Sequence, residues 1–208
     1  MNTKSLLSVL VLGTTAMAAQ AVPTALGAGD FLPTDALVDF NAASLEVPVG
    51  SLYSGMGVTF SGELLGLTNS GDTNLFPSNG GGVIASNWNY SRSAYSGLSF
   101  TATFGAMQTR VGFFLENWPV QTVTVELFNG ATSLGTLNLA GTASLTAEFR
   151  GIGEASGFDK MVFTNNNAEN GYFAIDDMRF SNAVPEPQVF ALMLAGLGLI
   201  GWAARGRR

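Results

Sequence analysis

Apolar and polar residues alternate along four separate stretches of the chain, and that period of two fixes the class of fold. Val123, Val125 and Leu127 alternate with Thr122, Thr124 and Glu126. Leu98, Phe100, Ala102 and Phe104 alternate with Ser99, Thr101 and Thr103. Val111, Phe113 and Leu115 alternate with Arg110, Gly112 and Phe114, and Leu145, Ala147 and Phe149 with Ser144, Thr146 and Glu148. Successive side chains of a strand point to opposite faces, so each stretch predicts a strand with one buried face. Asn129-Gly130 falls between two such runs and predicts a hairpin turn. No stretch between 22 and 183 sustains a helical period. Short strands at a spacing of roughly 8–12 residues predict an all-β fold of two packed sheets, a jelly-roll-type β-sandwich.

Composition narrows the chemistry. The 208 residues contain no Cys and no His. Disulfides, thiolate metal sites, thiol nucleophiles and every His-based triad are therefore excluded. Net charge is −6. A chain this acidic lacks the basic face that nucleic-acid binding needs. Glycosidase chemistry needs only two carboxylates, but no spacing among the acidic residues singles out a pair. The expectation is a protein that is not an enzyme.

The two ends read as addresses. Residues 1–21 have the form of a secretory signal peptide: Lys4, the apolar run Leu6–Leu12, and a small-x-small cleavage site at Ala19-Gln20-Ala21, with Ala16-Met17-Ala18 as a second candidate. The cut thus falls after Ala18 or Ala21. The run Val189–Ala204 carries no charge and would be ~24 Å long as a helix, slightly short of a ~30 Å hydrocarbon core. Trp202 at the interface and the stop formed by Arg205, Arg207 and Arg208 make up the difference and place this end in the cytoplasm. The expectation is one C-terminal transmembrane helix.

Val184-Pro185-Glu186-Pro187 stands just before that run. Pro-Glu-Pro, apolar helix and terminal arginines, in that order over 184–208, resemble the PEP-CTERM sorting signal. The resemblance implies an exported protein held in the inner membrane of a Gram-negative bacterium with its domain facing the periplasm. It implies processing near the Pro-Glu-Pro by an exosortase, then release to the cell surface or extracellular matrix, in company with exopolysaccharide and biofilm systems. The prolines fit a processing site, since they keep the backbone extended.

Between the addresses, 22–183 forms the exterior domain. Setting aside Lys4, the three terminal arginines and Glu186 leaves five cations against 14 acids, a net charge of −9. Val38-Asp39-Phe40 opens the domain, Gly57-Val58-Thr59-Phe60 follows Tyr53, and Phe173-Ala174-Ile175-Asp176-Asp177-Met178-Arg179-Phe180 closes it. This layout resembles exported jelly-roll domains of the galactose-binding-like, carbohydrate-binding type. The resemblance implies adjacent first and last strands and a structural calcium nearby; it does not by itself imply a sugar.

The closing segment contains a conflict of register. Phe173 and Ile175 share one parity, Met178 and Phe180 the other, and both pairs need the core. An extra residue at Asp176-Asp177, a β-bulge, resolves it. The carboxylates of Asp39, Asp176 and Asp177 then become candidates for a Ca²⁺ site; a solvated strand end fits the same residues. No other cofactor is required. Trp88, Tyr90 and Tyr95 cluster among Ser and Asn in 86–95, which suits rings stacking on a sugar of an extracellular polysaccharide. The same pattern also fits a loop whose Trp is tucked against the core. Trp118 is an alternative contact. A structural or adhesive matrix protein with no defined glycan is the second reading, and a glycan-active hydrolase the third.

Overall fold

The computed structural model describes residues 22–62, 64–68, 83–86, 88–89, 94–95, 99–118, 122–140, 147–166 and 172–182. The signal peptide (1–21), the sorting segment with Val184, Pro185, Glu186 and Pro187, the expected membrane helix and Arg205, Arg207 and Arg208 lie outside them. Among the described residues no helix is long and apolar enough to cross a membrane.

The described chain is all β apart from two short 3₁₀ turns, Ala28–Asp30 and Ser54–Met56. Its strands are β1 (Thr24–Leu26), β2 (Ala36–Val38), β3 (Val58–Gly62), β4 (Leu65–Thr68), β5 (Val83–Ser86), β6 (Trp88–Asn89), β7 (Ala94–Tyr95), β8 (Ser99–Trp118), β9 (Val123–Asn129), β10 (Thr132–Leu139), β11 (Glu148–Asn165) and β12 (Tyr172–Asn182). One ladder runs β10-β9-β11-β8-β12-β5-β4, with β1 on β11, β2 on β12 and β3 on β8. β6 and β7 form a separate ribbon.

Two long strands carry the ladder around a corner. Residues 99–103 of β8 pair with 160–164 of β11, and residues 110–115 pair with 148–153. Between these stretches the register of β11 shifts on both sides of Phe158, and Gly157 takes a φ of +87°, which an L side chain rarely adopts. Bulges at such corners let one strand serve two layers. The first layer is β10, β9, the end of β11, the start of β8, and β3. The second is β1, the start of β11, the end of β8, β12, β5 and β4, with β2 on the end of β12.

The inner faces meet through phenylalanines. Phe100 of the first layer stacks on Phe163 at 4.3 Å and on Phe173 of the second at 5.4 Å. Phe113 meets Phe163 edge-on at 5.3 Å, and Phe104 meets Phe180 at 5.3 Å. The buried positions follow the alternation: Phe100, Ala102 and Phe104, then Val111, Phe113 and Leu115, then Val123, Val125 and Leu127. With no cysteine anywhere in the chain, this apolar burial carries the stability, at ~1.5–3 kcal/mol for each large side chain.

The hairpin is where Asn129-Gly130 predicts it, with β9 and β10 antiparallel and Gly130 at φ +58°. The stretch around Phe149 departs from expectation. Phe149 is only half-buried and lies outside the main core, meeting Phe31 at 5.3 Å and Phe114 at 5.5 Å. Phe31 comes from the turn segment before β2, which packs over the outer face of the second layer. Alternation shows that a side is apolar but not which of two apolar coverings it meets.

Candidate functional site

The closing strand is bulged where the parity conflict requires it. Asp176 pairs with Phe114 and Arg179 with Gly112, so Asp177 and Met178 together face the single residue between. Asp177 takes a φ of +49°, a left-handed conformation that Asp tolerates better than most residues. The extra residue restores register: Phe173, Ile175, Met178 and Phe180 all join the main core.

That bulge forms an acidic corner. The first strand, β1, pairs with β11 and not with the closing strand; it is β2 whose Val38 pairs with Met178 and brings Asp39 beside the bulge. Asp39 is exposed and its Oδ1 accepts the Asn41 N–H at 3.2 Å. Asp176 and Asp177 are buried. Oδ1 of Asp176 accepts the Asp177 N–H at 2.8 Å. Oδ1 of Asp177 is buried without a hydrogen-bond partner, and the hydroxyl of Tyr53 is buried close by. Burial pushes the Tyr53 phenol up to about 12, and the charges of Asp39 and Asp176 push the same way, against the amides of Ala42 and Ala43. Among the described residues no three acidic groups gather in a geometry that could hold a metal ion. Asp39, Asp176 and Asp177 are therefore neighbours around a bulge and do not form a three-carboxylate cluster. What fits a cation is narrower: one orphaned buried carboxylate oxygen, with oxygen-rich neighbours.

The aromatic candidates divide. Trp88 and Tyr95 stand directly opposite each other on the β6–β7 ribbon. Tyr90 lies outside the described residues, as do the side chains of Tyr95 and of Trp118, whose backbone pairs with Tyr172 at the end of β8. Ser86 roots the ribbon: its hydroxyl accepts the Trp88 N–H at 3.1 Å and donates to the Phe173 carbonyl at 2.9 Å. Trp88 is half-buried and packs on a satellite cluster around Leu67 and Ala174, with Phe114 beside it. It is thus anchored on one side and partly exposed.

The sequence gives no pointer to a third feature, a cavity of about 580 Å³ lined by Asp35, Arg110 and several hydroxyls. Its charged pair joins residues 75 apart, and Arg110 reads locally as the polar partner of Val111. The aspartate two residues before Leu37 carries no motif of its own.

No curated protein matches the chain. Among solved structures, it is similar to a cleaved adhesin domain of Lys-gingipain, with 14% identity and a TM-score of 0.49, covering 71% of this chain and 99% of that one. It is similar to TmCBM61, solved with β-1,4-galactotriose, at 14% identity and TM-score 0.38, covering 67% and 99%. It is similar to CsCBM6-3 from Clostridium stercorarium, solved with cellobiose, at 18% identity and TM-score 0.37, covering 70% and 92%. Residues 183–208 match the family model described as the PEP-CTERM protein-sorting motif, and the chain carries that motif after its β domain.

Proposed function

We propose that this chain is an exported protein, sorted and processed by an exosortase through its PEP-CTERM tail, whose jelly-roll-type β-sandwich binds extracellular carbohydrate. The match of the motif to 183–208 is the observation that carries the sorting half. In this reading Val189–Ala204 spans the inner membrane of a Gram-negative bacterium, with Arg205, Arg207 and Arg208 on the cytoplasmic side. Processing near Pro185-Glu186-Pro187 then sends the domain to the cell surface or an exopolysaccharide matrix. Deleting 185–208 tests this: the deleted protein should leave the membrane fraction, and persistence there would refute the sorting role.

The carbohydrate half draws support from the ribbon, where Trp88 faces Tyr95 across a two-stranded platform outside the main ladder. The Trp88 ring, anchored from behind on Leu67 and Ala174, presents a surface to the C–H face of a sugar. The domain acts by binding and not by catalysis. A structural Ca²⁺ at the acidic corner would take the orphaned Oδ1 of Asp177 together with backbone carbonyls. Trp88→Ala should weaken retention on a polysaccharide without unfolding the domain. Unchanged retention would remove Trp88 from the site.

A second reading has its own observation. β10 ends the ladder, pairs only with β9 among the described residues, and contains no charge and no proline in Thr132–Leu139. Beyond the bulge at Ser133–Gly135, Thr136–Leu139 leaves an uncharged edge open to pairing with another strand, which suits an adhesive matrix protein. Self-association that sugar does not compete would favour it.

A further inference from the structure

The cavity of about 580 Å³ opens between the segment that leads into β2, the middle of β8 and the end of β12. We propose that it is a binding site for a neutral sugar ring, with Arg110 as its central donor. The proposal rests on the carbohydrate-binding reading above and gives it a second site, separate from the Trp88 ribbon.

The pair at its heart is held rigidly. Arg110 Nη2 donates to both oxygens of Asp35, at 3.1 and 3.3 Å. Asp35 Oδ2 also accepts the Leu32 N–H at 2.8 Å, and the Asp35 side chain is only 4% exposed. Arg110 lies 5.9 Å from the centre of the Phe31 ring, a cation–π distance. Carboxylate and ring fix the guanidinium in place, yet 27% of the Arg110 side chain stays open to solvent. Its Nε–H is buried and beyond a ligand's reach. Asp35 is thus a positioning residue, and the solvent-open part of the Arg110 side chain, which lines the cavity, is what faces a ligand.

Charge decides what the cavity accepts. Asp35 already neutralises Arg110, and the domain around them carries −9. An anionic ligand gains little attraction and meets repulsion from the rest of the domain. The other polar walls are the hydroxyls of Thr34, Thr109 and Ser181, each able to donate and to accept. Leu32, 53% exposed, adds an apolar wall. A ring bearing several hydroxyls and one C–H face matches this set, and the volume lies within the roughly 300–1,000 Å³ of small-molecule sites.

The test is retention of the full-length chain, in a detergent without sugar head groups, on immobilised β-1,4-galactan, β-1,4-glucan and a polyuronate. Thr34→Val, Ser181→Ala and the paired exchange Asp35→Asn with Arg110→Gln are compared with Trp88→Ala, and melting temperatures check folding. The expected result is retention of wild type on a neutral glycan, weakened at least several-fold by Thr34→Val or Ser181→Ala at unchanged melting temperature. Wild-type retention that these two variants leave intact overturns the cavity site while the wider reading survives. Stronger retention on the polyuronate, lost with Arg110, overturns the neutral-sugar assignment. If no glycan retains wild type, the carbohydrate reading and the cavity site fail together.

Discussion

Val38 stands opposite Met178, so β2, the second strand of the domain, is hydrogen-bonded to the closing strand β12. The pairing works only because Asp177 occupies an extra position just before Met178. Deleting Asp177 would turn Met178 and Phe180 away from the core and strip β2 of its partner. The deletion should leave the domain unfolded, whereas Met178→Ala, which only empties volume, should cost about 2–5 kcal/mol in urea denaturation. A deletion as stable as wild type would contradict the bulge.

Gly112 lies under the turn that supplies Phe31. A Cβ at this position would stand 2.7 Å from Phe31 Cζ and would also strike Phe149. Gly112→Ala should destabilise the domain by about 1–3 kcal/mol, as overpacking does. It should also displace Phe31 from Arg110 and weaken sugar retention at the cavity. Thermal unfolding and retention of the same variant check both effects.

Tyr53 gives a pH signature. Its phenol titrates at about 12 in the folded chain against 10.0 for an unperturbed tyrosine. The folded state therefore keeps a proton that the unfolded state releases above pH 10, and stability falls as pH rises between 10 and 12, at up to about 1.4 kcal/mol per pH unit. In chelator, Tyr53→Phe should lose this component of the fall. Because the phenol oxygen meets only the amides of Ala42 and Ala43, the variant should lose no more than about 1 kcal/mol at pH 7. An alkaline profile identical to wild type would contradict the burial of the phenol.

The acidic corner predicts a calcium effect. Occupancy at a hundredfold excess over Kd stabilises by about 2.7 kcal/mol, a rise of several degrees in a domain of this size. Millimolar Ca²⁺ should raise the melting temperature of wild type, and Asp177→Asn should abolish most of the rise. No shift in wild type would eliminate the site.

Much of this fold is legible in local patterns. The alternations at 100–104, 111–115 and 123–127 mark core faces, Asn129-Gly130 marks the hairpin, and the clash of parity between Ile175 and Met178 demands a bulge. Other features are set at long range. Nothing local shows that Ser99–Trp118 is one bent strand serving two layers, because the break in alternation between Phe104 and Val111 looks like a loop. Phe149 reads as core because its covering residue, Phe31, is more than a hundred positions away. Asp35 and Arg110 are ordinary in their own neighbourhoods and acquire a role only when folding sets them 3.1 Å apart. Asp39, Asp176 and Asp177 were legible as neighbours, but not that two would be buried while the third stays in water.

Carbohydrate binding is decided by retention of the chain on extracellular polysaccharide from the producing organism, in calcium and in chelator. Saturable retention in calcium, competed by free sugar and reduced on chelation, is the expected result. Absence of retention in both conditions would contradict carbohydrate binding and leave the sorting motif as the supported function.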